Sequence, residues 1–244
     1  APKLITNLET RLKLFEELGI DYVFTIDFDQ DFMDTSAEDY LNIYLKEKLN
    51  AAFISVGFDH HFGKKRSGNL ELLQSWAKEN KIELKVQGAF QVVDTIVSSS
   101  LIRQLLEHSN IKEANEYLGY DFRYLGKVIH GNKQGQELGF PTANLEIDPK
   151  VQLPANGVYK GYCEIIDGSG TSKKFKAAIN LGDRPSIDSE LDLSLEVHIL
   201  DFNEDIYGKT VDLRFTEKIR DEQKFNSLED LKSQIKKDIE KTYA

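Results

Sequence analysis

The chain has 244 residues, of which 40% are hydrophobic and 30% are charged, the balance expected of a folded protein with one large or two small domains. Its 31 Lys and Arg residues and 41 Asp and Glu residues give a formal net charge of −10, which argues against a general nucleic-acid-binding surface. No apolar run approaches the roughly 20 residues that cross a bilayer, which argues against a membrane protein. The single cysteine, Cys163, excludes an internal disulfide and fits a reducing, cytoplasmic location.

The first helix is predicted directly after the start of the chain. Residues 6–9 read Thr-Asn-Leu-Glu, which has the form of a capping box with Thr6 as the cap. Gly19 stands where a C-terminal cap belongs. Apolar residues at helical spacing lie between them: Leu8, Leu12, Phe15 and Leu18.

Helices and strands then alternate up to about residue 120. Helical patterns begin at Ser36 and cover Leu70–Glu79. Short apolar segments predict strands at 22–26, 52–56 and 82–86. This alternation indicates a parallel sheet covered by helices, and such sheets bind ligands beyond the carboxyl ends of their strands.

Two segments of this first half could bind an anion. Residues 57–69 contain three glycines, two histidines and three cations between a predicted strand and a helix. Residues 97–103 place three serines and Arg103 at the start of another helix. Composition alone leaves the alternatives open, because the first segment also fits a solvated basic loop and the second an ordinary serine cap.

The pattern changes near 119–121, where helical spacing gives way to short alternating segments broken by Gly and Pro. These predict a small antiparallel β-barrel, followed by a helix that begins at Ser227. That helix is predicted to carry one apolar stripe, made of Leu228, Leu231, Ile235 and Ile239. The predicted strands cover 124–130, 158–166, 175–180, 193–200 and 210–215. Residues 201–205 depart from a calcium-binding loop and predict a turn, and Cys163 is predicted to be buried and inert.

A glycine-rich segment, 131–144, is the first candidate for chemistry in this half. Its glycines allow close approach of the backbone to phosphates. Thr142 and Asn144 stand two residues apart, so they face the same side of an extended segment and offer neutral oxygens of the kind that Mg²⁺ accepts. The alternative is a plain loop, since the common phosphate-loop pattern is absent from the sequence.

The second candidate is Glu196 on the strand 193–200. Leu193, Leu195, Val197 and Ile199 form one face of that strand, so Glu196 is predicted to point outward or into a cleft. A carboxylate fixed on a strand suits a general base, and a solvated surface residue is the alternative.

Four short motifs follow one another in the second half. Residues 139–144 read Gly-Phe-Pro-Thr-Ala-Asn, 153–159 read Leu-Pro-Ala-Asn-Gly-Val-Tyr, 180–186 read Asn-Leu-Gly-Asp-Arg-Pro-Ser, and 195–198 read Leu-Glu-Val-His. In this order they resemble the riboflavin kinase family. The first half resembles the adenylyltransferase part of bacterial bifunctional riboflavin kinase/FMN adenylyltransferases, through residues 57–68 and 97–103.

The resemblance implies a fold and a division of the chain. Residues 1–120 would form a Rossmann-like nucleotidyltransferase domain with a parallel sheet and helices. Residues 121–244 would form the small antiparallel barrel of a riboflavin kinase with a C-terminal helix.

The resemblance also implies an activity and its residues. The chain would phosphorylate riboflavin with MgATP to give FMN, so its partners would be small molecules, and Glu196 would take the proton of the riboflavin hydroxyl. Thr142 and Asn144 would hold Mg²⁺, and Glu196 and Arg220 would contact the flavin. The implied ATP and phosphate site comprises Gly131, Lys133, Gly135, Gly139, Pro141, Thr142 and Asn144. The implied adenylyltransferase site comprises Asp59, Phe62, Gly63, Arg66, Ser98, Ser99, Ser100 and Arg103.

Two departures from the family pattern accompany these expectations. Gln134 and Gln136 stand where the family often has Arg, which would weaken ATP binding. No His-x-Gly-His segment occurs in the sequence, although the adenylyltransferase domain should begin with one, so we expect a chain that is truncated at its N-terminus. The prediction is a kinase that makes FMN, with conversion of FMN to FAD expected of the intact parent but impaired in this chain. The alternatives are a non-catalytic flavin-binding or regulatory protein of the same family and a purely structural remnant whose first half serves only as a scaffold.

Overall fold

The computed structural model describes residues 2–131, 135, 138–166, 173–184 and 192–243. The chain divides into two compact units. One is formed by Ala1–Asp21 together with Ser98–Ala244, and the other by Tyr22–Val97. The predicted boundary between an adenylyltransferase domain and a kinase domain, between residues 120 and 121, stays a prediction.

Among the described residues, helices and short strands alternate up to residue 118, and the barrel strands and a last helix follow. The helices are α1 (Leu8–Glu17), α2 (Gln30–Met33), α3 (Ala37–Asp39), α4 (Leu70–Glu79), α5 (Ser99–Glu107), α6 (Ile111–Leu118) and α7 (Leu228–Tyr243). The strands are β1 (Phe53–Gly57), β2 (Glu83–Gln87), β3 (Gln91–Val92), β4 (Thr95–Ile96), β5 (Arg123–Ile129), β6 (Ala143–Leu145), β7 (Gly157–Ile166), β8 (Lys174–Arg184), β9 (Asp192–Ile199) and β10 (Thr210–Arg220).

The unit of residues 22–97 contains the predicted parallel pairing. β1 and β2 run parallel with Ile54 opposite Leu84, and α4 connects them. Asn69 caps α4 by accepting a hydrogen bond from the Leu72 amide at 3.0 Å. Helix α3 continues as a π-helical segment, Tyr40–Lys48. The core of this unit is Ala37, Leu41, Phe62, Leu73, Trp76 and Ala77.

The strand predicted at 22–26 is wrong. These residues form no strand, and Tyr22 and Phe24 are 81% and 69% exposed. An apolar segment becomes a strand only where a neighbouring backbone takes up its hydrogen bonds. β1 pairs with β2, and nothing among the described residues pairs with 22–26.

Helix α1 belongs to the other unit and packs on barrel strand β5. Its cap is Asn7 rather than the predicted Thr6, and the Asn7 side chain accepts a hydrogen bond from the Thr10 amide at 2.9 Å. The same side chain donates from Nδ2 to the Leu125 carbonyl at 2.8 Å, and Thr10 Oγ1 accepts from the Leu125 amide at 3.1 Å. Asn7 is the cap because one amide side chain can serve both the helix and the strand.

The barrel is closed, with strand order β10–β5–β6–β9–β8–β7 and β7 returning to β10. All of its pairings are antiparallel. The alternation predicted on β9 is confirmed, since Leu195, Val197 and Ile199 are buried in the interior. The interior is completed by Tyr159, Cys163, Ile179, Leu181, Val211, Leu213 and Phe215.

Cys163 lies in that interior, as predicted. It is 1% exposed on β7. Burial raises the pKa of its thiol to about 12, and the nearby Asp212 carboxylate adds to the shift. The thiolate that would react or bind a metal is therefore disfavoured.

A buried ionic cluster ties α1 to the barrel. Arg123 and Asp212, 2% and 1% exposed, form a bidentate pair whose Nε–Oδ1 distance is 3.0 Å. Arg123 also contacts the Glu17 carboxylate of α1 at 2.6 Å, and Arg214 contacts Asp212 at 3.1 Å. Burial raises the pKa of Asp212, while the charges of its two arginines oppose that rise.

Replacing Arg123 should show how much this cluster contributes to the stability of the unit that contains the barrel. Arg123→Met leaves Asp212 buried without its main counter-charge, which should lower the free energy of unfolding by about 3–5 kcal/mol. Urea denaturation followed by circular dichroism measures the loss. The control is Lys112→Met, which breaks the exposed pair of Lys112 with Glu217 and should cost less than about 1 kcal/mol. Equal losses from both variants would contradict the prediction.

Candidate active site

Three polar residues form a row across the outer face of the barrel. The strand register places Asn144 of β6 opposite Glu196 of β9, and Glu196 opposite Asn180 of β8. Directly opposed residues of antiparallel strands point to the same face, and their side chains lie about 5 Å apart. The interior neighbours of Glu196 on β9 are apolar, so the carboxylate is held on the outside of a rigid strand.

Gly131 approaches the barrel closely. A Cβ atom built on it would lie 2.1 Å from Asn144 Nδ2, so a larger residue here would have to displace the Asn144 side chain. Asn144 is 5% exposed. Farther along, the Phe140 amide donates to the Gly135 carbonyl at 2.8 Å. Gly139, at φ +88, takes a backbone conformation that favours glycine.

His198 joins the strand of Glu196 to the segment of Thr142. Its Nδ1 lies 2.8 Å from the Pro141 carbonyl oxygen, which can only accept, so Nδ1 carries the proton. The Phe140 ring packs edge-to-face on the imidazole at 6.1 Å. Glu196 and His198 are two residues apart on one face of β9, so the strand that carries Glu196 also anchors Pro141, next to Thr142.

Two cavities meet at Thr142, which lines both. The smaller one has a volume of about 250 Å³. Its lining residues include Gly131, Pro141, Thr142, Asn144, Asn203, Glu204, Asp205 and Tyr207.

The larger cavity has a volume of about 310 Å³ and a lining of two kinds. Its polar lining residues include Thr142, Glu196, Asn180 and His198. Its apolar lining residues include Phe140, Phe225 and the α7 residues Leu231, Ile235 and Ile239. The stripe predicted on the last helix is thus directed at this cavity, except for Leu228, which is 63% exposed.

Arg220 lines the larger cavity, but its guanidinium group is engaged by α7. It contacts the buried Asp238 carboxylate through Nε at 3.0 Å and through Nη2 at 2.9 Å, and it lies 5.8 Å from the centre of the Phe225 ring. Gln234 donates to the same carboxylate at 2.9 Å. Arg220 therefore fixes α7 against the barrel.

Glu222 is a further acid at this cavity. Burial raises the pKa of its carboxyl group, and the charge of Asp183 adds to that effect. Asn156 is its hydrogen-bond partner at 3.5 Å.

The predicted magnesium ligands can be compared with the geometry around them. Among the described residues no group of three His, Cys, Asp or Glu side chains could hold a metal ion. Thr142 and Asn144 stand at i and i+2 on the lining of the smaller cavity. Neutral oxygens in that arrangement fit a Mg²⁺ ion that keeps most of its waters and uses the phosphates of a nucleotide as further ligands.

Some of the other residues predicted for the kinase site lie outside the described residues. Gly131, Gly135, Gly139 and Pro141 are described, and Gly131 and Pro141 line the smaller cavity. Lys133, Gln134 and Gln136 lie outside the described residues.

The predicted adenylyltransferase residues fall in both compact units. Asp59, Phe62, Gly63 and Arg66 belong to the unit of residues 22–97. There Phe62 is buried, and Gly63, at φ +71, approaches the backbone of Ala37 so closely that a Cβ atom would lie 2.5 Å from it. Asp59 and Arg66 are exposed.

The serine segment belongs to the other unit. Ser98 caps α5 by accepting a hydrogen bond from the Leu101 amide at 3.2 Å, which is the ordinary role of a serine at this position. Ser99 and Ser100 are exposed in the first turn of α5. Arg103 Nε donates to the Lys3 carbonyl at 2.6 Å. The roles of all these residues in nucleotide binding stay predictions.

Several cavity residues were not singled out by the sequence. Asn180 lay inside a family motif, but its place beside Glu196 follows only from the strand register. Asp238 sits in a helix whose apolar stripe was visible, and a buried acid on that helix gave no separate signal.

The described residues contain no helix long and apolar enough to span a membrane.

Comparisons with known proteins agree with these features. The riboflavin kinase family model matches residues 118–244, and the FAD synthetase family model matches residues 1–101. The bifunctional riboflavin kinase/FMN adenylyltransferase of Haemophilus influenzae is 37% identical over 98% of this chain and 76% of its own length. That of Escherichia coli K12 is 36% identical over 98% of this chain and 74% of its own length.

One solved structure resembles nearly the whole chain. A crystal structure described as a macrolide-efflux protein from Streptococcus pneumoniae has a TM-score of 0.82 and 33% identity, and it covers 98% of this chain and 75% of its own. The chain belongs to the bifunctional riboflavin kinase/FMN adenylyltransferase family, and residues 118–244 are its riboflavin kinase part.

Proposed function

We propose that this chain transfers the γ-phosphate of ATP to the terminal, 5′-hydroxyl of the riboflavin side chain and so makes FMN and ADP. The observation that carries the proposal is the position of Glu196. Its carboxylate stands in a fixed register beside Asn144, on the outer barrel face where the two cavities meet at Thr142. A phosphoryl transfer between two bound substrates needs such a junction, because most of its rate comes from alignment.

Riboflavin fits the larger cavity. Its flat aromatic ring system can pack on Phe225 and the apolar residues of α7, and its hydroxylated side chain suits the polar lining residues that include Glu196. ATP fits the smaller cavity, with its phosphates directed toward Thr142 and the Gly131 backbone. Lys133 would contact the phosphates.

Glu196 acts as the general base in this scheme. As the 5′-oxygen forms its bond to the γ-phosphorus, the bond from that phosphorus to the bridging oxygen of ADP breaks, and the hydroxyl proton passes to the Glu196 carboxylate. Thr142 and Asn144 would hold Mg²⁺, which neutralises phosphate charge when bound. His198 keeps Pro141, and with it Thr142, at a constant distance from β9.

The flavin-side prediction for Arg220 takes a more specific form. Its guanidinium group is engaged with Asp238, so we propose that it positions α7 and Phe225 around the flavin.

We also propose that a polypeptide of these 244 residues converts FMN to FAD poorly. The support for this is that no His-x-Gly-His segment occurs in its sequence, whereas the resemblance implies one for adenylyl transfer.

Neutralising the proposed base should separate chemistry from binding. Glu196→Gln should lower kcat by about 10²-fold or more, because the amide cannot take the hydroxyl proton, and should leave riboflavin binding in place. Product formation is followed by chromatography and binding by quenching of flavin fluorescence. The control is Glu146→Gln, an exposed acid outside both cavities, which should keep the original rate. An unchanged rate in Glu196→Gln would remove this residue from the mechanism.

The link from His198 to Pro141 should be visible in the kinetics of ATP. His198→Ala removes the hydrogen bond and should lower kcat/KM for MgATP by about tenfold, the value of one lost hydrogen bond. His198→Asn places an amide N–H near the position of Nδ1 and should recover most of the loss. If both variants behave alike, the hydrogen bond to Pro141 does not position the site.

The products of the unaltered polypeptide test the proposal as a whole. Incubation with riboflavin, ATP and Mg²⁺ should accumulate FMN with little FAD. FAD formation at a rate near that of FMN would contradict the impaired adenylylation. Folded protein that binds riboflavin and forms no FMN would contradict the kinase proposal and favour the non-catalytic alternative.

A further inference from the structure

We propose that Asn180 recognises the inner hydroxyl groups of the riboflavin side chain and thereby favours this polyol over side chains of equal length that lack them. The inference rests on the proposed function, because it takes the larger cavity as the riboflavin site. It adds a specificity-determining residue that touches a part of the substrate away from the reacting hydroxyl.

The strand register gives Asn180 its place. Asn180 lies opposite Glu196 on one side and opposite Val158 on the other, and Arg220 lies opposite Val158. All four residues line the larger cavity. They form a row in which each step is one strand spacing, about 4.8 Å.

The chemistry of the first three residues of this row changes in one direction, from the acid Glu196 through the amide of Asn180 to the apolar side chain of Val158. The fourth residue, Arg220, lies 5.8 Å from the centre of the Phe225 ring. Riboflavin changes in the same direction, from the terminal hydroxyl through the inner hydroxyls to the aromatic ring. With the terminal hydroxyl at Glu196, the inner hydroxyls lie beside Asn180 and the ring lies beyond it.

An amide suits this position. A polyol hydroxyl both donates and accepts, and the Asn side chain offers two N–H donors and one carbonyl acceptor. Within the described part of the chain, no hydrogen bond engages the Asn180 side chain. The other large polar group in the row, Arg220, is held by Asp238.

The consequence is discrimination between side chains of equal length. A flavin with a 5-hydroxypentyl side chain has the reacting hydroxyl and the same number of carbons, but none of the inner hydroxyls. Binding it leaves the Asn180 amide without partners, and a cavity with unpaired polar groups rejects such a ligand.

The test compares riboflavin with this 5-hydroxypentyl flavin as substrates of the full chain. Asn180→Leu, which keeps the side-chain volume, should lower the preference for riboflavin, measured as the ratio of the two kcat/KM values, by about tenfold. Asn180→Ala should change the ratio in the same direction and covers the case in which the leucine variant fails to fold. The control is Asn110→Leu, the same change at an exposed amide outside both cavities, and it should leave the ratio unchanged.

An equal loss for both substrates, or an unchanged ratio, would overturn the proposal. A parallel measurement of the two dissociation constants by fluorescence quenching separates this inference from the proposed function. If the unaltered chain binds both flavins and phosphorylates neither, the kinase proposal fails, and the change in the ratio of dissociation constants in Asn180→Leu still decides whether Asn180 recognises the hydroxyls.

Discussion

The hydrogen-bond register of β6, β9 and β8 is the constraint on which the candidate site depends. It places Asn144, Glu196 and Asn180 side by side on the outer face of the barrel. A slip of one residue in any of these strands would send that strand's polar side chain into the core and its apolar neighbours to the cavities. Because the barrel is closed, no free edge allows one strand to shift alone. The distance between the proposed metal segment and the proposed base is therefore a property of the whole barrel.

Helix α7 completes the site from outside the barrel. Its apolar stripe forms one wall of the larger cavity, and the contact between Arg220 and Asp238 fixes where that wall stands. Buried ion pairs contribute little net stability because desolvation offsets their attraction. The pair of Arg220 with Asp238 is better explained by its positioning role, because Arg220 holds α7 and lies beside Phe225 at the same time.

The sequence predicted the architecture well where one strand face is buried. Alternation on β9 predicted both the core residues and the outward direction of Glu196. Each predicted barrel strand is present, with ends that differ by up to about five residues from the predicted ones. β6 escaped prediction because three residues are too few for a periodic pattern, although its Asn144 was singled out by chemistry. The apolar segment 22–26 was misread because strand formation requires a partner, which a single segment does not reveal. The pairing of Arg220 with Asp238 and the position of Asn180 depend on contacts between residues distant in the sequence. The predicted role of Lys133 falls outside the described residues.

The shared wall at Thr142 has a consequence for inhibition. Two cavities that meet at one side chain can be occupied by one molecule that joins a flavin to a nucleotide through a short linker. Once either half is bound, the other half is held near its own cavity at a high effective concentration, so the joined compound binds far more tightly than its separate halves. The linker would pass Thr142, between the proposed base and the proposed metal ligands. Groups placed on the linker would therefore contribute most to the selectivity of such an inhibitor.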